Sequence, residues 1–206
     1  MPGPERFLSM DDDTIKGLVI DAVESFCEDE EYLIEKDLSE RAMAHKLAEH
    51  LQKQFSGMHV DCEYNKNIDD DKHIKSTVKE YVMHKSQTKR GQELFETIIA
   101  SEGAVIIDDG DEQPEVMDVF PDIIIHWRGN GHPWNLVVIE IKKSSNLSRT
   151  QRDFDAFKLK KYTAERGPLQ YRLGAFITLK VGQVAGEGRY SGLWYKSGDE
   201  EDAIHE

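Results

Sequence analysis

Pro121-Asp122-Ile123-Ile124-Ile125-His126-Trp127 and Leu136-Val137-Val138-Ile139-Glu140-Ile141-Lys142 are the stretches on which the fold turns. They mark expected strands over Val119–Trp127 and Leu136–Lys142, short runs dominated by branched apolar residues, which favour β-strands. The segment between them, Arg128–Trp134, contains Gly129, Gly131 and Pro133 and reads as a turn. Side chains alternate across a strand, so residues 136, 138, 140 and 142 share one face. Glu140 and Lys142 then project side by side, roughly 7 Å apart. Leu, Val and Ile fill the rest of that strand, so both of its faces need cover. An acid and a base buried there cost free energy unless they find partners. Pro121 suits the entry of a strand, because it lacks an N–H. Antiparallel pairing through the turn brings the start of the first strand beside the end of the second, and so Asp122 beside Glu140 and Lys142.

Working outward, Ser148–Ala164 reads as a helix capped by Ser148 or Thr150 and stopped by Gly167-Pro168. Tyr171–Val181 reads as a further strand, and Tyr190–Tyr195 as one more. Toward the N-terminus, His59–Tyr64 alternates polar and apolar residues as a strand with one covered face does. Before it, Asp37-Leu38-Ser39-Glu40 has the pattern of a capping box, opening a helix with the stripe Ala44, Leu47, Ala48, Leu51 and Phe55. Ser56-Gly57 closes that helix. Thr14–Phe26 has apolar residues at helical spacing, while residues 1–13 read as loosely attached. The expected organisation is an N-terminal extension at 1–35, a domain at 36–196 and a mobile acidic tail at 197–206. Residues 66–118 read as an insertion holding a polar helix over Ile74–Ile99. The core order of helix, three strands, helix, strand describes an α/β sandwich around a mixed sheet.

The chain has 206 residues and a net charge of −14, a balance that argues against general nucleic-acid binding. The distribution says more. Residues 142–180 hold ten Lys or Arg against three Asp or Glu, a balance of +7, and the remainder carries −21. Acid collects at Asp11–Asp13, Glu28–Glu31, Asp69–Asp71 and Asp108–Glu112. These runs read as solvated loops or as a field that repels DNA from all but one face. No apolar run reaches the ~20 residues of a bilayer span, and the N-terminus lacks the pattern of a secretory signal. Cys27 and Cys62 form no metal or disulfide pattern. A cytoplasmic protein with reduced thiols is the expectation.

Two carboxylates converging on one point suit a hard cation such as Mg²⁺, which prefers oxygen ligands. A lysine beside them can orient an attacking water and stabilise developing phosphorane charge. Asp122, Glu140 and Lys142 together therefore suggest phosphodiester hydrolysis with Mg²⁺ or Mn²⁺. Taken singly, a Glu-x-Lys in a strand is usually a surface ion pair, and a Pro-Asp is usually a turn signal.

With Pro121-Asp122 on one strand and Glu140-Ile141-Lys142 on the next, the chain resembles the PD-(D/E)XK nuclease superfamily. The resemblance implies a restriction-endonuclease-like αβββαβ core running from Asp37 to Lys180. It implies that Asp122 and Glu140 bind metal with the backbone carbonyl of Ile141, and that Lys142 positions the water. Many members add a glutamate from the first core helix, which here points to Glu40. The other reading of Glu40 is that it only completes the capping box with Asp37. Some members carry Gln-x-x-x-Tyr on the helix after the active strand. Lys158 and Tyr162 have that spacing, with Lys in place of Gln.

Lys143, Ser144, Arg149, Arg152, Lys158 and Lys161 surround this motif and are candidates for neutralising phosphates. The alternative for the cations is a solvated helix face, and for Ser144 simply a strand end. His126 is a candidate substrate contact or a hydrogen-bonded structural residue. Trp127 and Trp134 suit packing against the sheet better than base stacking. The expected function is a metal-dependent deoxyribonuclease, in DNA processing or in defence against foreign DNA. The alternative is a catalytically silent subunit that binds a protein partner, or a second copy of itself, through its acidic surface or the insertion.

Overall fold

In the computed structural model the described residues are 3–64, 66–67, 70–71, 73–76, 115–118, 120–182 and 188–205. A short helix α1 (Glu5–Leu8) precedes α2 (Asp12–Asp29), α3 (Glu31–Glu35) and α4 (Glu40–Gln54). Strand β1 (His59–Cys62) is followed by two ribbons, β2 (Lys66–Asn67) with β3 (Asp70–Asp71) and β4 (His73–Ser76) with β5 (Glu115–Asp118). Then come β6 (Ile123–His126), β7 (Asn135–Lys143), α5 (Arg149–Thr163), β8 (Leu173–Leu179), β9 (Tyr190–Lys196) and β10 (Asp199–His205). Six strands make one mixed sheet in the order β1-β6-β7-β8-β9-β10, in which β7 and β8 run parallel. The chain is therefore α/β, as its sequence suggests.

Burial explains the layers. On one face, Ile123, Ile125, Val137, Ile139 and Ile141 join Leu173, Ala175 and Ile177 in a core closed by α2 and α4. On the other, Ile124, Val138 and Phe176 meet Phe154, Leu159 and Tyr162 of α5. Each buried Val, Leu or Ile side chain contributes about 1.5–3 kcal/mol to folding, so β7 is pinned from both sides. Helix α2 starts where the Asp11 side chain accepts from Thr14 N–H at 2.7 Å. It buries Ile15, Val19, Ala22, Val23 and Phe26. Helix α5 has a true capping box between Ser148 and Gln151.

Several local expectations change. The Asp37–Glu40 box does not form: Ser39 is the N-cap of α4, without a side-chain cap bond, and Glu40 is the first helical residue. Asp37 takes a positive φ of 48° and gives its carboxylate to Lys143 at 2.7 Å. A buried ammonium outbids a cap, because it has no water to fall back on. Residues 3–13 are not loosely attached. Phe7 is fully buried, and Asp12 pairs with Arg172 and Lys196. The acidic tail is the edge strand β10, anchored by buried Ile204. Where a helix over Ile74–Ile99 was expected, His73–Ser76 pairs with Glu115–Asp118. The rest of that span lies outside the described residues. Over Ile74–Ser76 a distant strand partner prevails. The strand expected over Val119–Trp127 begins at Ile123.

Candidate active site

The register Ile123↔Ile139 sets Asp122 beside the C-terminal half of β7. Asp122 lies just outside β6, and its Oδ2 accepts from Ile141 N–H at 2.9 Å. The strand that carries the Glu-Ile-Lys run thus fixes the aspartate through its own backbone. Glu140 and Lys142 point to the α5 face, as the alternation requires, where Asp155 and Lys158 meet them. Glu40 reaches in from the first turn of α4.

The Lys142 ammonium is the centre of this constellation. Its Nζ donates to the Ile141 carbonyl at 2.9 Å and to Glu40 Oε1 at 3.1 Å. Asp122 Oδ2 and Asp155 Oδ2 each lie 3.6 Å away. Glu40 Oε2 also accepts from Lys143 N–H at 3.2 Å. One shell deeper, Lys158 Nζ bridges Glu140 Oε2 at 2.8 Å and Asp155 Oδ1 at 2.7 Å. Four carboxylates, from Glu40, Asp122, Glu140 and Asp155, thus face two ammonium groups. Fully ionised, the cluster carries −2.

Electrostatics follow from that imbalance. Glu140 is fully buried, and desolvation pushes its carboxyl well above the ordinary range. Lys158 opposes this rise, and the charges of Asp122 and Asp155 add to it. Glu140 Oε2 relies on the Lys158 ammonium, which Asp155 also claims. Burial alone would lower the pKa of Lys142. Asp122, Asp155, Glu140 and Glu40 together hold it well above the ordinary value instead. Lys158 behaves in the same way between Glu140 and Asp155. Tyr162, buried beneath them, is raised by desolvation and then by Glu140.

A cleft of about 610 Å³ opens over Asp122, Ile141 and Glu40, walled by Arg41 of α4 and by Cys62 and Glu63 at the end of β1. Burial and then Asp61 push the Cys62 thiol up to about 11, so it stays protonated at neutral pH. Among the described residues, no three His, Cys, Asp or Glu side chains form a ready-made metal cluster. The oxygens converge on an ammonium.

The residues singled out as phosphate contacts divide into two groups. Arg149 and Arg152 are exposed, Arg149 with only a 3.8 Å approach to Asp153. Lys161 lies over the Phe157 ring at 5.2 Å. Lys143 and Lys158 are turned inward. Lys143 is buried, pairs with Asp37 and donates to the Leu38 carbonyl at 2.9 Å. Ser144 Oγ accepts from Val181 N–H at 3.2 Å. His126 sits at the far end of β6, bonded to Asp61 at 2.9 Å. Asp155, which meets both lysines, lies outside the sequence motif. Its signal is the 155, 158, 162 spacing, which places an acid on the same helical face as Lys158 and Tyr162.

The described helices include none long and apolar enough to cross a membrane. Compared with protein-family models, with curated proteins and with solved structures, the chain has no significant match.

Proposed function

We propose that this chain is a metal-dependent nuclease of the PD-(D/E)XK type, with a restriction-endonuclease-like core, acting on DNA in the cytoplasm. The sequence α4, β1, β6, β7, α5, β8 follows the αβββαβ order of that superfamily. The observation that carries the reading is the convergence of Glu40, Asp122 and the Ile141 carbonyl on one cation, with buried Glu140 beside them. The donors are all oxygens, which suits Mg²⁺ or Mn²⁺. The fully ionised cluster's charge of −2, with Glu140 and Asp155 sharing the Lys158 ammonium, fits a divalent ion.

Asp122, Glu140, Glu40 and the Ile141 carbonyl are the groups that would hold the metal. When bound, such an ion polarises the phosphoryl oxygen and acidifies a coordinated water. Lys142 carries the charge that orients the water and offsets the phosphorane oxygens. Asp155 and Lys158 fix the positions of Lys142 and Glu140 from behind. Arg149, Arg152 and Lys161 offer the polymer its remaining counter-charge.

The test is cleavage of linear, circular and single-stranded DNA with Mg²⁺ or Mn²⁺ by wild type, Asp122→Ala and Lys142→Ala. Wild type should cut and both variants should not. Equal products from all three proteins place the chemistry elsewhere.

A second reading, a protein-binding subunit without catalysis, draws on the exposed acids of β10, Asp199–Asp202. It expects a complex with a basic partner that survives EDTA, and no cleavage of DNA.

A further inference from the structure

The candidate cleft is hostile to a polyanion. Glu40, Glu63 and Asp122 line it, and like charges at such range repel DNA. Among its described lining residues, Arg41 carries the one permanent positive charge. Arg41 stands on the first turn of α4, next to Glu40. Its guanidinium reaches across the mouth to Glu63, with Nη2 at 2.8 Å and Nε at 3.0 Å from Oε1.

Glu63 is held in an uncommon way. It has a positive φ of 49°, a region that side-chain-bearing residues seldom occupy. Its N–H donates to the Asp122 carbonyl at 3.2 Å. The backbone that sets Asp122 therefore also sets the carboxylate that faces Arg41. Non-glycine residues in such conformations persist only where their surroundings hold them, and they gather at functional sites.

We propose that Arg41 is a phosphate-binding residue of the cleft and that Glu63 is its resting partner, which an entering phosphodiester displaces. This rests on the nuclease reading for the identity of the ligand. The planar guanidinium presents two N–H groups to two phosphate oxygens as readily as to a carboxylate. The side chains of Arg41 and Glu63 are 78% and 49% exposed. An ion pair this wet is weakly held, so exchange of one anion for another is easy. Free of substrate, the pair spans the mouth. With substrate, Glu63 is released and Arg41 grips the phosphate beside the one over Asp122.

A binding cycle tests this on the full chain. Fluorescein-labelled single-stranded and duplex DNA are titrated with wild type, Arg41→Ala, Glu63→Gln and the double variant, by anisotropy in Ca²⁺. Cleavage with Mg²⁺ or Mn²⁺ is followed in parallel. Arg41→Ala should weaken binding roughly tenfold, as loss of a charged hydrogen bond does. Glu63→Gln should tighten it about threefold by freeing the guanidinium. That gain should vanish in the Arg41→Ala background, because the two groups act through one contact. An equal gain in both backgrounds means simple repulsion by Glu63 and overturns the proposal, as does unchanged binding by Arg41→Ala. Cleavage by wild type with either of those results sinks the proposal alone. The expected cycle without cleavage supports the proposal and sinks hydrolysis. No binding to either probe overturns both.

Discussion

The β6–β7 pair buries charge at both of its ends, and the two ends are balanced differently. At the His126 end, Asp61 takes a hydrogen bond from His126 Nε2 at 2.9 Å and a fork of two from Arg128. Burial pushes the Asp61 carboxyl up, but His126 and Arg128 outweigh it and hold the group well below its ordinary value. Both oxygens are used. At the Asp122 end, four acids share two lysines, and Glu140 divides the Lys158 ammonium with Asp155. A complete buried cluster is consistent with a purely structural part. An incomplete one leaves a demand that the protein's own groups do not meet, and the nuclease reading answers it with a cation.

The contrast can be broken most directly by activity. On the nuclease proposal, Asp122→Ala should cost on the order of 10³-fold in cleavage rate, the several kcal/mol that metal and lysine chemistry would supply. Asp61→Ala should leave the rate within about twofold. Stability should respond the other way. Asp61→Ala strips buried His126 of its carboxylate and should lower the unfolding free energy in urea by about 2–3 kcal/mol, somewhat less than for a fully buried pair. A loss well under 1 kcal/mol would erase the difference between the two ends.

The pH dependence sharpens the same point. A carboxyl whose folded pKa is depressed stabilises the protein above its unfolded pKa, 3.8 for Asp61, and that stability drains away as pH falls toward the folded value. Wild type should therefore lose stability below about pH 4, and Asp61→Asn should show a shallower fall on the acid limb. Superimposable limbs refute it. At the other end, Glu140→Gln relieves excess charge while Lys158 keeps Asp155. Without metal it should be about 1 kcal/mol more stable than wild type, and its melting temperature should stop responding to Mg²⁺ or Mn²⁺. A variant less stable than wild type in EDTA argues that Glu140 is already content with Lys158. The smallest effects belong to the rim. Arg149→Ala and Arg152→Ala should each weaken DNA binding about threefold and lower the salt slope by about one, whereas inward-facing Lys143→Met should leave the slope alone.

What the sequence disclosed tracks how strongly each residue is constrained by period. The alternation in Leu136–Lys142 places Glu140 and Lys142 on one face, and both meet side chains of α5 there. The sheet's strands β6 to β8 were legible because branched apolar runs have few alternatives. Charged residues were misread where their partners are remote in sequence. Lys158 looks like a solvated helix cation, but its partner Glu140 lies on β7. Asp37 looks like a cap until Lys143 claims it. The acid of 199–205 suggested a tail, because composition does not reveal that β9 offers an open edge.

That last strand has a consequence for assembly. Five successive residues of β10, Asp199–Ala203, face solvent, and four of them are acidic. An exposed edge is a template on which other chains can add strands, and repeated charge is a known deterrent. Lys16 meets Glu201 and Asp202 at 3.0 Å, a single cation against the four acids of that rim. Two copies brought together along this border would each confront the other's carboxylates, so the ladder stops growing there.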